Sequence, residues 1–563
     1  MNTCKGLSTF GCKLASSFVV IILMLPLAMT WGQEMPKPSA VIAIAPINEQ
    51  LNDVEYLAAA TSESIGQMSG LVRFQAQGFL NGVDFEKPAG AMLYFQEGQM
   101  EPDSIAFFPV SNMDDVLDKI SEFAEVDEES EFIEIIPDNG EQMYMKNKGN
   151  YAFASTKSEL LKNLPENPGT MVAQQAKDYN IAATIYPQRI PKELRQQALD
   201  WVKESYEATV EDLDDLQSEF QQMQFESNVE QMEMFVNEVE TLTIGMQADK
   251  ESERVFFDLN MKGKSGSKLA AKLAASSKFE PTQFAGFLVD QAAFTMHNCS
   301  GIDKEDAERI SETLVSSRDL LIEDQSEEMD DAEIDALTKL SDKVIESIKK
   351  TLMAGTLDMG GFAFTNDGLN AVFGGKLVDA RGLESTIKEI VADNKDKIDG
   401  EQLVFNLDSG SHAGFNLHQI TVALDQDEYD EKLAKVIGEK LNIVLGIGQD
   451  KAYAAVGKNP IGSLKKAIDA NASSGASRPD LMGQYNLFVA PIVNLISQIE
   501  TEEPMIEDMR QKIEEAGKDR LRFTYNVVNE EMKMRSEIQD GIFQLLGVFA
   551  EAMQGGMGGG ADF

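Results

Sequence analysis

Histidine and cysteine are so rare in this chain that the few present are the first candidates for chemistry. The histidines are His297, His412 and His418, and one of three cysteines, Cys299, lies two residues from His297. An imidazole and a thiolate at that spacing could supply two ligands to a zinc ion. No Cys-x-x-Cys or His-Glu-x-x-His pattern supplies the others. We therefore interpret Cys299 as a small buried side chain, and the sequence assigns no metal ligand.

Catalytic signatures are equally sparse. A thiol nucleophile would pair Cys299 with a histidine, but nothing in the sequence brings the two together. The run Gly410-Ser411-His412-Ala413-Gly414 is similar in outline to a nucleophile elbow, yet histidine stands where the nucleophilic serine belongs, so a turn is the better interpretation. Acidic residues, 94 in number, are too abundant for close pairs to indicate acid–base catalysis. The sequence assigns no catalytic or cofactor-binding residue.

The charge balance excludes some classes of partner. With 49 basic residues the formal net charge is −45, which repels nucleic acid and anionic lipid and attracts divalent cations or basic partners. The stretch from Glu204 to Glu240 contains twelve acidic residues and no basic one. Repulsion between such residues is costly in an isolated helix, so cations, a basic partner or apolar packing must compensate it. The acidic helices are therefore candidate surfaces for divalent cations or a basic partner. A solvated face that keeps the protein in solution is the simpler and preferred interpretation.

Two further features bear on ligand binding. The acidic stretches Asp393–Gly400 and Asp425–Asp430 lack the alternating oxygen ligands of an EF-hand, so they predict no specific calcium loop. Met223, Met232 and Met234 lie on or beside an apolar helical stripe. Methionines of this kind can line an adaptable groove, but ordinary core packing is the preferred interpretation.

The N-terminus has the composition of a secretory signal peptide. Lys5 and Lys13 are the only charged residues before the apolar run Phe18–Met29, and small residues permit cleavage after Gly32. A retained anchor is the alternative, but the run is shorter than a membrane span and contains a proline. Residues 1–32 are therefore predicted to be removed, and the mature chain is expected to be soluble and exported, either periplasmic or extracellular. It would keep Cys299 as its single thiol, without a disulfide, and a net charge of −47.

An internal repeat organises the rest of the chain. One pattern, here called the long unit, recurs four times: a short apolar strand, one or two amphipathic helices, a two-stranded hairpin and a closing helix. In the third copy the strand is predicted over Phe284–Met296, and the hairpin strands over Thr356–Phe364 and Leu369–Val378 flank the turn signal Asn366-Asp367-Gly368. The first copy begins at Val41, and the fourth begins with Tyr485-Asn486, which repeats Tyr179-Asn180 of the second.

A shorter unit of strand-like sequence ending in a helix separates the long units. Tyr151-Ala-Phe-Ala-Ser155 in one short unit is similar to Tyr453-Ala-Ala-Val-Gly457 in the other. The order long-short-long, twice, predicts an α+β fold of two similar halves, 33–276 and 284–553, that arose by internal duplication. Each half would be an antiparallel sheet with amphipathic helices covering one face. Residues 554–563 would be a flexible glycine-rich tail.

Three features carry a resemblance to known sequences: Thr30-Trp-Gly-Gln33 at the end of the leader, Tyr151–Ser155 followed by Glu159-Leu-Leu-Lys162, and the acidic two-part body. Together they resemble large secreted proteins of planctomycete-type bacteria, a group without a named activity. The resemblance implies a bacterial, extracytoplasmic setting and assigns no site residue.

The leading hypothesis for function is a non-enzymatic exported protein that binds a partner or serves as structure in the bacterial periplasm or cell envelope. It would use the sheet faces or the groove beneath the long acidic helices. Two alternatives stay open: a hydrolase that depends on carboxylates, and an envelope protein that binds divalent cations.

Overall fold

The computed structural model describes residues 37–548 except for 138–139, 211–224, 226–228, 291, 326–330, 367, 394–402, 424–430, 477–479 and 500–503. The predicted signal peptide (1–32), the acidic stretches 394–400 and 425–430, and the predicted tail (554–563) lie outside the described residues. The chain divides into two compact units, Met1–Trp201 with Met234–Ser265 and Val202–Glu233 with Gly266–Phe563. The predicted halves, 33–276 and 284–553, stay a prediction.

The described residues include twenty strands, ten in each unit. Those of the first unit are β1 (Ala40–Ile44), β2 (Ala89–Tyr94), β3 (Asp103–Pro109), β4 (Ala124–Asp127), β5 (Ile133–Pro137), β6 (Met143–Lys148), β7 (Tyr151–Ser155), β8 (Ile181–Ile185), β9 (Val239–Asp249) and β10 (Arg254–Gly263). Those of the second unit are β11 (Phe294–Gly301), β12 (Thr356–Phe364), β13 (Asn370–Lys376), β14 (Leu403–His412), β15 (Phe415–Ala423), β16 (Lys440–Ile447), β17 (Lys451–Gly457), β18 (Gly483–Phe488), β19 (Arg520–Val528) and β20 (Glu531–Gln539).

The helices fall between these strands. They are α1 (Ile47–Thr61), α2 (Glu63–Phe79), α3 (Met113–Ile120), α4 (Gly169–Asp178), α5 (Lys192–Val210), α6 (Lys268–Ser276), α7 (Lys304–Gln325), α8 (Asp331–Met353), α9 (Ala380–Asp393), α10 (Glu431–Ile437), α11 (Pro460–Ser474), α12 (Val489–Ile499) and α13 (Pro504–Ala516). Residues 229–238 and 541–548 are also helical. None of the helices among the described residues is long and apolar enough to cross a membrane.

The ten strands of each unit lie side by side, and the neighbouring pairs within each unit are all antiparallel. The first unit has the order β4-β5-β6-β7-β3-β2-β1-β8-β9-β10. The second has the order β14-β15-β16-β17-β13-β12-β11-β18-β19-β20. The two orders are the same, since each strand of the second unit has the position of the first-unit strand whose number is lower by ten. The mixed α+β class with extensive antiparallel sheet is confirmed.

Helices cover both faces of the first sheet at its centre. All five residues of β7 are buried. Tyr151 and Phe153 belong to an apolar cluster that includes α4, whereas Ala152 and Ala154 belong to a second cluster that includes α3. Because successive strand residues point to opposite faces, the two helices lie on opposite sides. The prediction that helices cover only one face is wrong here, since β7 is apolar at successive positions as strands buried on both sides are.

The second sheet has the same two-sided burial. Val444 of β16 packs in a cluster with α11, whereas Leu445 and Ile447 pack with α8 and α9. Because successive strand residues point to opposite faces, α11 lies on one face of the sheet and α8 and α9 lie on the other. The prediction that helices cover a single face is therefore wrong for this unit as well. The sheet centre, buried from both sides, is the rigid platform on which the outer strands and hairpins are placed.

The predicted hairpins agree closely with the structure, but the third copy of the long unit begins differently. Its strand was expected over Phe284–Met296, whereas the chain forms a single helical turn at Ala285–Phe287 and enters β11 only at Phe294. Phe284 and Phe287 are fully buried and stack with ring centroids 6.1 Å apart. A short apolar run can be a buried turn as readily as a strand, and periodicity does not separate the two.

Aromatic rings lie over glycines on neighbouring strands. Gly374 on β13 is covered by Tyr453 on β17, and a Cβ atom at Gly374 would come within 2.6 Å of a ring carbon. In the first unit a Cβ atom at Gly245 would lie 2.5 Å from the ring of Tyr179. These glycines admit the close approach that lets a buried tyrosine lie flat on the sheet.

We expect Gly374→Ala to lower the free energy of unfolding by roughly 1–3 kcal/mol, because the added methyl group displaces the Tyr453 ring in a packed core. The matched control is Gly375→Ala, where the nearest atoms to a Cβ would be 3.7 Å away. That neighbour should cost less than about 0.5 kcal/mol. Denaturant unfolding followed by circular dichroism compares the two variants, and equal costs would contradict the packing described.

Candidate functional site

A group of charged side chains surrounds a buried glutamate where α9 meets the β14–β15 hairpin. Helix α9 starts after Asp379, whose Oδ1 accepts a hydrogen bond from the Gly382 amide at 3.2 Å. Its residues Arg381, Glu384 and Lys388 are three and four apart and therefore share one face of the helix. The apolar residues of α9 pack against β16, which turns this charged face towards the hairpin.

The hairpin carries two backbone irregularities that shape the site. Ala413 and Gly414 both have positive φ and form the two-residue turn, which confirms the turn interpretation of residues 410–414. Between Asn406 and Gly410 the register shifts, so that three residues of β14 face a single residue of β15. Asp408, in the middle of this bulge, has a φ of 53°. The bulge aims the Asp408 amide at a side chain of β15.

Glu384 is the centre of the cluster and is only 4% exposed. Its Oε1 accepts hydrogen bonds from Asn416 Nδ2 at 2.7 Å and from Lys388 Nζ at 2.8 Å, and its Oε2 accepts one from Arg381 at 2.6 Å. Burial alone would raise the pKa of Glu384, but the bonds from Asn416, Lys388 and Arg381 outweigh it and lower the pKa to about 2. Glu384 is therefore ionised at every physiological pH.

Lys388 joins this carboxylate to a second one. Its Nζ lies 2.6 Å from Asp408 Oδ1 as well as 2.8 Å from Glu384. Hydrogen bonds to Asp408 and Glu384 raise the pKa of Lys388. The ammonium group thus occupies the space between two carboxylates, which is where a bound cation would otherwise be held.

His418 completes the cluster and is 1% exposed. Its Nδ1 accepts a hydrogen bond from the Asp408 amide at 3.1 Å, which assigns the proton of the neutral ring to Nε2. Nε2 lies 3.3 Å from Glu384 Oε1, although the contact does not have hydrogen-bond alignment. Burial lowers the pKa of His418, so the ring is neutral at pH 7. The sequence singles out His418 by the rarity of histidine, but no sequence signal indicates its partners Glu384 and Asp408.

The chemistry open to this cluster is narrow. Ligand atoms of Glu384, Asp408 and His418 lie within 4.8 Å of one another, the one such group of three or more found in the described part of the chain. A metal ion there would have to displace Lys388 and remove the proton from Nε2 of His418. Glu384 with so low a pKa is unsuited to act as a general acid. The arrangement works best as an internal cross-link between helix and hairpin.

The other residues considered from the sequence lie elsewhere. His297 and Cys299 are buried on one face of β11, where the Cys299 thiol donates to the Glu280 carbonyl at 3.3 Å. Cys299 pairs across the sheet with Asp358, whose carboxylate accepts bonds from Thr282 Oγ1 and the Gln283 amide. Burial raises the pKa of Asp358. Neither His297 nor Cys299 belongs to the group around Glu384.

The acidic stretch Glu204–Glu240 is partly described, and three of its carboxylates pair with lysines of the chain. Glu233 pairs with Lys203 at 2.9 Å, Glu230 with Lys268 at 3.2 Å, and Glu240 with Lys262 at 2.8 Å. The lysines come from outside the stretch, so part of the predicted repulsion is compensated internally. Of the methionines noted there, Met223 lies outside the described residues and Met232 is exposed.

We predict that Lys388→Met lowers the free energy of unfolding by about 2 kcal/mol, because buried Glu384 loses one of its three donors and faces Asp408 without a cation between them. The control is Lys339→Met, which breaks an exposed pair with Asp335 and should cost less than about 0.5 kcal/mol.

Calcium binding tests whether the ammonium group of Lys388 occupies a site that would otherwise hold a metal ion. Millimolar calcium chloride should raise the Tm of Lys388→Met more than that of the wild-type protein. An equal rise in both proteins would show that calcium binds elsewhere and that Lys388 does not fill a cation site.

His297 predicts a pH dependence of stability. Burial lowers its pKa from the ordinary 6.5 to about 4, so the folded protein binds this proton less readily than the unfolded chain. The free energy of unfolding therefore has its full value, as far as His297 is concerned, above pH 6.5, and it decreases as the pH falls towards 4. Replacing His297 by Leu should remove about 2 kcal/mol of the stability loss between pH 6.5 and 5. Thr295→Val, buried on the same face, should keep the wild-type slope, and parallel slopes for all three proteins would contradict the assignment.

Comparisons of the chain with protein-family models, with curated proteins and with solved structures give no match. Its function is therefore inferred from its own residues.

Proposed function

We propose that the protein is exported to the bacterial periplasm or cell envelope and works by binding a partner, without catalysing a reaction. The observation that carries the proposal is the exposure of large apolar side chains on helices that follow the first strand of a long unit. In the first unit Phe74 on α2 is 74% exposed and Trp201 on α5 is 68% exposed. In the second unit Val315 on α7 and Ile496 on α12 are exposed as well.

Such exposure is costly unless a partner uses it. Burying an aromatic side chain is worth roughly 1.5–3 kcal/mol relative to leaving it in water. Single exposed apolar residues are ordinary on protein surfaces, whereas exposed large apolar side chains on several helices favour interaction surfaces. Export itself is supported by the charge and apolar pattern of residues 1–32, and by the resemblance to secreted bacterial proteins.

Internal duplication belongs to this proposal and is supported by the matching strand order of the two units. The register agrees less closely. A row of paired residues crosses each unit from the strand that carries Tyr151 or Tyr453, but it places Ala182, and not Asn180, at the position of Asn486. The rows are Phe153, Phe107, Gly90, Ala43, Ala182, Gly245, Asp258 and Ala455, Val372, Phe362, Thr295, Asn486, Arg522, Glu537.

Both rows end on a buried acidic residue at the corresponding strand. Asp258 accepts a hydrogen bond from the Tyr179 hydroxyl at 2.9 Å, and Glu537 lies 3.8 Å from Arg522. An experimental structure of each unit should superpose β1–β10 on β11–β20. A best superposition that pairs the strands in another order would refute duplication.

Binding of divalent cations is the second candidate, and the convergence of Glu384, Asp408 and His418 favours it. Lys388 opposes it at that place. A rise of several degrees in the Tm of the wild-type protein with millimolar calcium would bring this candidate forward, and no rise would remove it.

The proposal predicts contact with an envelope partner at the exposed helices. A photoreactive phenylalanine analogue placed at Phe74 or at Trp201 should cross-link to a partner in native cells, because these side chains are the contact points. The same analogue at exposed Lys162 is the control and should not cross-link. Cell fractionation should find a mature chain that begins at Gln33.

Two results would overturn the proposal. One is a full-length chain in the cytoplasm without cross-links at either position. The other is hydrolysis of an ester, peptide or glycoside panel by the purified protein that is lost in Glu384→Gln.

A further inference from the structure

Helix α2 presents an uncharged face to solvent on a strongly acidic protein. Its N-terminus is capped by Ser62, whose Oγ accepts from the Ile65 amide at 3.3 Å. Between Glu63 and Phe79 the helix contains only two ionisable residues, Glu63 and Arg73. Arg73 is held on the α1 side, where it donates to Glu55 at 2.5 Å and to Asn52 at 2.7 Å. The outward half of α2 beyond Glu63 therefore has no charge.

Large apolar side chains occupy this outward half. All are exposed, and they spread over about half of the helix circumference: Ile65, Met68, Leu71, Phe74 and Phe79. We call these residues together with Phe123 the α2 patch. Among the described large apolar side chains Phe74 is the most exposed. Several exposed large apolar side chains on one helix differ from scattered single residues and favour a contact surface.

The patch borders an acidic surface. The rings of Phe79 and Phe123 have centroids 5.7 Å apart, and Phe123 is 55% exposed. Phe123 lies within residues 114–131, here called the acidic segment, which contain nine acidic residues and one basic residue. That basic residue, Lys119, is paired with Glu122, and Lys146 on β6 is paired with Glu131, so two of the nine carboxylates have a lysine partner. One exposed surface thus combines an uncharged apolar helix with an edge of unbalanced negative charge.

Three kinds of partner can be compared by how well they match both the apolar side chains and the negative charge of this surface. A second copy of the chain would bring a net charge of −45 and another acidic segment towards the first, so like charges would repel. A zwitterionic membrane could take the apolar side chains but would leave the acidic segment without counter-charges. An amphipathic helix that has an apolar face and a row of Lys or Arg along one edge satisfies both parts.

We propose that the α2 patch and the acidic segment form a docking surface for a cationic amphipathic helix of another protein. The proposal rests on the proposed binding function and names the surface and the class of partner. Apolar side chains of the partner would cover Leu71 and Phe74, and its basic edge would meet the carboxylates around Phe123. Electrostatic attraction would speed the encounter, and apolar burial would hold the complex.

The test uses a fluorescent 18-residue peptide of leucine and lysine, designed as a helix with one apolar face, and the mature chain from residue 33 to 563. A scrambled peptide of the same composition, without an apolar face, measures attraction to charge alone. The variant Leu71→Ser/Phe74→Ser removes exposed groups only, so it should fold normally. Met100→Ser removes a loop side chain of similar exposure and is the matched control. Fluorescence anisotropy gives Kd for each combination.

We expect Leu71→Ser/Phe74→Ser to weaken binding of the amphipathic peptide about tenfold or more, as loss of an aromatic contact centre does. Met100→Ser should leave Kd unchanged, and the scrambled peptide should bind weakly to every variant. Replacing Glu122, Glu125 and Asp127 by glutamine should weaken binding and reduce its dependence on salt.

Several results would overturn the inference. One is equal binding of the two peptides, or equal loss in the Met100 and α2 variants. Another is a dimer that strengthens with salt and disappears in Leu71→Ser/Phe74→Ser, which would assign the patch to a second copy. A third is binding to phosphatidylcholine vesicles through the same residues, which would assign it to a membrane. The amphipathic peptide could fail to bind while the analogue at Trp201 still cross-links to a partner in cells. That result would contradict this docking surface but not the proposed binding function.

Discussion

The pairing of β7 with β3, and of β17 with β13, is the interaction on which both units depend. The other strands between these partners form local hairpins, whereas this pairing returns the chain across a whole short unit. Its cost in loop closure is offset by burial, because Tyr151 and Tyr453 enter the two main cores at these strands. A slip of one residue would turn each tyrosine to the opposite face, so the register is tightly specified.

Around these cores a small number of basic residues neutralises part of the chain's negative charge. Lys388 and Arg381 neutralise buried Glu384, and lysines flanking the acidic stretch pair with its described carboxylates. Basic residues so placed connect helices to one another or to hairpins, which makes them structural cross-links. In the acidic segment beside Phe123 lysines pair with two of the nine carboxylates, Glu122 and Glu131, and this smaller supply distinguishes it from the neutralised cluster around Glu384.

Local sequence signals predicted much of the fold and little of the site. The hairpin β12–β13 was expected almost residue for residue, because alternation and a turn signal act over a few positions. The segment before β11 was missed because an apolar run does not distinguish a buried turn from a strand. Glu384 and Asp408 were not singled out, since a helix with Arg381, Glu384 and Lys388 in sequence looks like any charged helix surface. His418 was noticed only for its rarity.

The sequence by itself determined the α+β class, the strands of each hairpin and the excess of acidic residues, because composition and short-range periodicity are local properties. It also predicted an internal duplication, which stays a prediction. Only the tertiary structure decided that helices cover both faces of each sheet, and that a bulge at Asp408 brings an amide to His418. It likewise decided that α2 turns its uncharged half outward beside the acidic segment. These facts depend on contacts between residues far apart in the chain, whose side chains carry no local mark of the partner they meet.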